Sequence, residues 1–401
     1  MNYIIRYLIC YIIVIANMSS MPNMSSINTC LLFFVGVMCM AVLYEAYIYK
    51  FHRLHLTING KSKSKSGNIT YNQCNNIKLG DTIKKVFDKN GVVKDVASWD
   101  LYVPCGYNYV EGELETMNKI KPHQRIFAIS GCDKIASKNN LWEILRNTYG
   151  REEASKIMPE TYIIGDKGDM KIFKANYQEG NLYVVKKNVQ RKEGIVITGD
   201  YNKIMRMCNK QYKVIQEYAR DLYILKRRKI NIRLYLLVIC FNGKVGGYLY
   251  NQGKCIYTNK DYKEGTDAED REVHLTSVNL DMDIYKTHPE TLEDLEKYLG
   301  SKDYKLLWNN TLKIMKQMMK ATEKHICFLD KMQKAVAFQV FGGDIIFDKS
   351  FNPYLLELNK GPSMKYMSDI DMKMKDQLTR DMFTFVGLTN NELEGNFIKL
   401  N

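Results

Sequence analysis

The chain has 401 residues, 46% of them apolar and 25% charged, which allows a sizeable core and excludes long intrinsic disorder. A formal net charge of +14 favours an anionic partner (nucleic acid, an acidic membrane face or an acidic protein tail) without choosing among them. The ten cysteines include no CxxC pair, so their spacing argues against a zinc knuckle or a disulfide framework and for reduced, mostly buried thiols.

Two apolar runs open the chain. Residues 3–16 contain Arg6 and are short for a membrane span. Residues 27–49 carry one charge, Glu45, and their uncharged part, 27–44, just reaches the length that crosses ~30 Å of hydrocarbon. Lys50, Arg53, Lys61, Lys63 and Lys65 follow closely. By the positive-inside rule they face the cytosol. Residues 1–50 therefore read as a single-pass membrane anchor with the rest of the protein facing the cytosol. Residues 51–76 read as a basic linker, with a flexible Ser/Lys/Gly tract near 59–70.

From residue 77 onward, strand and helix patterns alternate, which means a mixed α/β fold. Residues 125–130 form an apolar strand pattern ended by Gly131. Residues 140–149 fit a helix, and Met158–Pro159 marks a break. Strands at 183–187 and 195–198 flank a polar loop at 188–194, and together suggest a hairpin. Further strands fall at 213–218 and 230–241, the second strongly apolar. Residues 303–331 place Leu306, Leu307, Ile314, Met315, Met318 and Met319 at helical spacing, a core stripe. Strands at 335–341, 344–347 and 354–358 close the pattern. The chain divides into lobes at 77–164, 165–225 and 226–401.

Three local patterns carry chemistry. In the segment 342–362, GGDIIFDKSFNPYLLELNKGP, Glu357 and Asn359 are two apart and share a strand face. Asp344 can sit opposite them in an antiparallel hairpin. Three oxygen donors on one face suit a hard cation such as Mg²⁺; the same residues would also serve as a hydrogen-bonded polar cluster at a sheet edge. Lys186, at the end of an apolar strand, can set a point charge against phosphate oxygens. Alternation puts Lys229, Asn231 and Arg233 on one face of the strand that continues into 234–240, which favours a charged cleft over solvent. The basic run 226–229 belongs to no nucleic-acid module, and no nucleic-acid partner is expected.

In this order the pieces resemble the tubulin-tyrosine-ligase-like family of ATP-grasp enzymes over roughly residues 95–390. The carriers are YVVKKNVQRKEGIVI (183–197), VIQEYARDLYILKRRKINIRLYLLV (214–238), VHLTS (273–277) and FGGDIIFDKSFNPYLLELNKGPS (341–363). The resemblance implies an ATP-grasp fold with N-terminal, central and C-terminal lobes. It implies Lys186 on the ATP phosphates, a lid at 188–194 with Arg191, and a hinge of Gln216, Glu217 and Tyr218 around adenine. Lys229 and Asn231 would hold the adenosine end, and Arg233 would face the γ-phosphate and the reacting carboxylate. His274, Thr276 and Ser277 would lie near the acceptor, and Asp344, Glu357 and Asn359 would hold Mg²⁺. The implied reaction joins a free amino acid (Glu, Gly or Tyr) to a carboxylate of an acidic protein such as a tubulin tail, through an acyl phosphate, in a monomeric enzyme.

The chain also departs from the family pattern. Lys192-Glu193 precede Gly194 where a second lid glycine is usual. Asn231 replaces a common Asp, and Ser277 a common Asn. Strand 253–257 offers Lys254, or no residue, for an arginine that members often carry. These departures leave a second reading beside the ligase: an inactive ATP-grasp module that binds microtubules or another anionic partner at a membrane.

Overall fold

The apolar run that follows Arg233 forms the centre of the largest sheet. In the computed structural model the described residues are 68–74, 77–118, 120–189, 194–262, 268–276, 281–391, 393 and 395–401. The expected membrane anchor, the linker up to residue 67, Arg191 and Ser277 lie outside them. Among the described residues no helix is long and apolar enough to cross a membrane.

The strands are β1 (Thr70–Asn72), β2 (Val93–Lys94), β3 (Leu101–Tyr102), β4 (Arg125–Ile126), β5 (Thr161–Ile163), β6 (Tyr183–Lys186), β7 (Ile195–Thr198), β8 (Val214–Glu217), β9 (Ile224–Leu225), β10 (Arg228–Phe241), β11 (Lys244–Tyr257), β12 (Val336–Phe347), β13 (Pro353–Asn359) and β14 (Phe397–Lys399). The helices are α1 (Asp81–Lys89), α2 (Val110–Thr116), α3 (Cys132–Ala136), α4 (Lys138–Tyr149), α5 (Arg151–Ser155), α6 (Lys167–Asn176), α7 (Tyr201–Met207), α8 (Arg271–His274), α9 (Leu292–Leu299), α10 (Ser301–Thr322) and α11 (Asp369–Phe385). The large sheet runs β14-β11-β10-β12-β4-β3-β1-β2, with β13 also on β12 and β9 on β10. A second, antiparallel sheet runs β5-β8-β6-β7.

β10 is apolar on both sides because helices cover both sides. Leu234, Leu236 and Val238 point into a core with Leu307, Ile314, Met315 and Met318 of α10 and Leu141 and Leu145 of α4. Tyr235, Leu237 and Ile239 pack with Leu378, Met382 and Phe383 of α11 and with Val86 and Phe87 of α1. The odd-numbered face turns polar only at the start of the strand, at Lys229, Asn231 and Arg233. The small sheet has its own core, where Phe173 of α6 packs on Tyr162, Tyr183 and Ile215. The helices are capped as their sequences require: Asp166 accepts from Asp169 N at 2.9 Å, and Thr291 with Asp294 forms a capping box.

Several boundaries differ from the sequence reading. The segments 335–341 and 344–347 are one strand, β12, that runs through Gly342-Gly343. Of 125–130 only the first two residues pair, although all six are buried. The long helix stops at Thr322 and passes into 3-10 turns, and Cys327 then takes a left-handed backbone (φ 62°). The stretch read as linker enters the sheet at Thr70. The cysteine reading is corrected too. Cys74 pairs with Cys105 and Cys240 with Cys327, Cα atoms 5.3 and 5.7 Å apart, while Cys132, Cys208 and Cys255 are free. The partners are 31 and 87 residues apart: the first pair joins the ends of the neighbouring strands β1 and β3, and the second joins β10 to the turn that follows α10, contacts that spacing alone does not reveal.

Candidate active site

Strand register builds the site. Arg233 of β10 lies opposite Lys254 of β11 on one side and Asp344 of β12 on the other. Asp344 lies opposite Glu357 of β13, and Gly342 opposite Asn359. Direct cross-strand partners share a face, so Lys254, Arg233, Asp344 and Glu357 form a polar row across four strands. A bulge follows Asp344.

Arg233 grips Asp344 with a two-pronged ion pair, Nε to Oδ1 at 2.6 Å and Nη2 to Oδ2 at 3.0 Å. Asn359 Nδ2 donates to Asp344 Oδ2 at 3.3 Å and to Glu357 Oε1 at 3.1 Å. The three oxygen-bearing residues picked out in the sequence therefore touch one another. Gly342 is what lets Arg233 cross β12. A Cβ there would meet Pro362 Cβ at 2.9 Å and Arg233 Cδ at 3.1 Å. Gly342→Ala is expected to push Arg233 off Asp344 and to lower stability by about 1–3 kcal/mol; a thermal melt of the variant reads it, and an unchanged melting temperature would refute the packing argument.

Cations surround this row. Lys186 ends β6, is buried, and donates to Gln216 Oε1 at 2.6 Å. Gln216 in turn donates to Thr161 Oγ1 at 2.9 Å, so its side chain positions Lys186. Burial lowers the Lys186 pKa to about 8, with Glu357 and Asp344 opposing that shift and Lys138 adding to it. Lys138, at the start of α4, pairs with Glu357 at 3.0 Å. Burial works against ionised Glu357, yet Lys138 and Lys186 hold its pKa down at about 2. Sequence reasoning missed Lys138: it sits in a polar segment, SKNN, whose composition looks like an ordinary helix start.

A second buried group adjoins the first. Lys229 Nζ lies 3.1 Å from both Tyr218 Oη and the His274 carbonyl oxygen, and 4.4 Å from the centre of the Tyr218 ring. Burial, with Lys186 nearby, lowers its pKa to about 7. Tyr218 Oη and His274 Nδ1 are 3.0 Å apart. Thr276 bridges to Thr258 of the chain after β11. Glu217 accepts from Tyr162 Oη at 3.0 Å. Asn231 is buried, and its Oδ1 has no hydrogen-bond partner among the described residues.

Lys254 is buried and held by Glu290 at 3.4 Å and Asp371 at 3.5 Å. Asp371 also pairs with Lys375 at 2.8 Å. This group balances its own charge. Among the described residues the central site does not: Lys138, Lys186 and Arg233 share Asp344 and Glu357, and Lys229 has Tyr218 and a carbonyl oxygen. Two buried ammonium groups with pKa values lowered by burial and an unmet acceptor at Asn231 thus lie in one part of the fold.

Residues 115–394 match the family described as "Tubulin-tyrosine ligase family". Similar relatives include "Tubulin polyglutamylase ttll-4" of Caenorhabditis briggsae, 26% identical over 292 residues, which cover 67% of this chain and 47% of that protein. "Tubulin monoglutamylase TTLL4" of Homo sapiens is 22% identical over 295 residues, covering 68% and 24%. "Tubulin polyglutamylase TTLL6" of Mus musculus is 23% identical over 359 residues, covering 83% and 42%. The chain thus spans less than half the length of each of these relatives. With the match covering well over half of this chain, the protein belongs to the tubulin-tyrosine ligase family.

Proposed function

We propose that this protein is an ATP- and Mg²⁺-dependent ligase that joins an amino acid to a carboxylate of an acidic protein, with a tubulin tail as acceptor. The observation that carries the reading is the excess of buried positive charge beside the Arg233–Asp344–Glu357 row. ATP with Mg²⁺ supplies the activation of the acceptor carboxylate by phosphoryl transfer, after which the amine displaces phosphate. Lys186 and Lys229 would neutralise phosphate charge, and the vacant acceptor of Asn231 would take a ribose hydroxyl. Asp344, Glu357 and Asn359 offer the hard oxygen set that Mg²⁺ prefers. Arg233 would stand where charge builds on the transferring phosphoryl group.

The relatives are named as polyglutamylases and a monoglutamylase, which favours glutamate as the added amino acid. The test is direct: the purified chain is incubated with ATP, Mg²⁺, a tubulin-tail peptide and each of Glu, Gly and Tyr, and the peptide mass is read. We expect a +1 glutamate product that requires ATP. No mass shift with any of the three amino acids, alongside measurable nucleotide binding, would favour the inactive binding module instead.

The apolar run at 27–49 supports a single-pass anchor, and the lysines after it support a cytosolic catalytic part. The cysteine pairs 74/105 and 240/327 pull the other way, since the cytosol keeps thiols reduced. Protease protection of a C-terminal tag in sealed vesicles separates the two orientations.

A further inference from the structure

Helix α10 covers the side of β10 that carries Leu234, Leu236 and Val238, the side away from Arg233. Its inward residues, Leu307, Thr311, Ile314, Met315, Met318, Met319 and Thr322, are buried. Its outward surface is a file of lysines. Successive helical residues turn by about 100°, which places Lys302, Lys305, Lys313, Lys316 and Lys320 in a sector about 80° wide. Lys324 in the following turn continues the line. All six are exposed. From first to last they cover about 33 Å at a rise of about 1.5 Å per residue.

Three features set this file apart from an ordinary solvated helix face. No ion pair joins any of the six to a carboxylate among the described residues; the pairs elsewhere, such as Lys297 with Glu293 and Lys84 with Asp88, show the usual arrangement. Lysines stand next to lysines at spacings of three or four residues (302/305, 313/316, 316/320 and 320/324), where like charges destabilise a helix. A helix selected for stability alone would place glutamates at those positions. Finally, the file is narrow and lacks the apolar residues that seat a helix in lipid: Leu306 is the one large exposed apolar side chain of α10. It contains no arginine, the residue that pairs best with phosphate groups.

We propose that this lysine file is an exosite for a single extended acidic polypeptide, whose carboxylates would line up along α10. It is separate from the candidate active site and would hold an acidic chain near the enzyme without entering the reaction. Binding at the file does not depend on ligation, so it is measured without ATP.

The test uses the full chain with labelled poly-L-glutamate at low salt. One variant carries Lys313→Gln, Lys316→Gln, Lys320→Gln and Lys324→Gln. A control of equal charge change carries Lys89→Gln, Lys121→Gln, Lys167→Gln and Lys171→Gln, all exposed elsewhere. Glutamine is as good a helix former as lysine, so both variants are expected to melt no lower than the parent. The file variant should lose at least about tenfold in affinity while the control stays within about twofold, and parent binding should weaken as salt screens it. Equal losses in both variants would reduce the effect to net charge, and no loss in either would make the file a solvated face. Loss of binding to phosphatidylserine vesicles with poly-L-glutamate binding intact would assign the file to lipid. Each of these three results overturns the proposal.

Discussion

Arg233→Met is expected to lower amino-acid ligation by about two orders of magnitude or more and to cost about 3–5 kcal/mol of stability. Both effects come from one contact. The guanidinium meets Asp344 through two bonds, at 2.6 and 3.0 Å, and both side chains are largely withdrawn from water. Removing one partner strands the other charge in a poorly solvated place, and that drives the stability loss. The double variant Arg233→Met with Asp344→Leu removes both charges and should regain most of the stability, because a well-packed apolar pair is at least as good as a buried ion pair. It should not regain activity, since on the proposed reading Asp344 would hold Mg²⁺ and Arg233 would face the transferring phosphoryl group. Arg233→Lys keeps the charge but loses the planar fork, and its rate should fall between parent and methionine variant. Thermal melts and single-turnover ligation on the same preparations check the set. A double variant that ligates at the parent rate would remove this pair from the reaction.

The sequence made the row Arg233, Asp344, Glu357 and Asn359 legible because strand periodicity is simple. Residues two apart share a face, and polar residues at that spacing inside otherwise apolar strands need a reason to be there. Lys186 was legible as a cation ending a strand, but the Gln216 contact that positions it was not, because the resemblance puts Gln216 in a hinge around adenine. Lys138 was invisible. Its role depends on α4 approaching Glu357 from more than two hundred residues away in sequence, and its local segment has no apolar pattern to interrupt. Gly342-Gly343 misled in the opposite direction: glycine usually punctuates a strand, and here it clears space inside one for Arg233. The cysteine pairs were hidden for the reason Lys138 was, since the fold brings together segments 31 and 87 residues apart.

Lys186→Met is expected to make the protein more stable and nearly inactive. The ammonium of Lys186 is buried, and burial is the main reason its pKa falls from 10.5 to about 8. An unfolded chain holds that proton up to about pH 10.5, whereas the folded one releases it near pH 8, so between these values the unfolded state binds more protons. Stability therefore rises with pH through this window, and the penalty of the buried charge is fully present below about pH 8. The shift corresponds to a penalty on the order of 3 kcal/mol. Methionine removes it but leaves Gln216 Oε1 without its 2.6 Å donor, a loss of about 1–3 kcal/mol. The balance at pH 7 is a gain of about 1 kcal/mol, and it should shrink through pH 8–10 and reverse above, where parent Lys186 is already neutral. Ligation should fall about 100-fold or more, because a neutral thioether cannot meet phosphate charge. Denaturant melts at pH 7 and pH 10.5, beside ligation assays, separate the two effects. A stability difference that stays flat across that range would mean Lys186 is not held as a strained cation, and parent-level ligation would show that it does not meet the nucleotide.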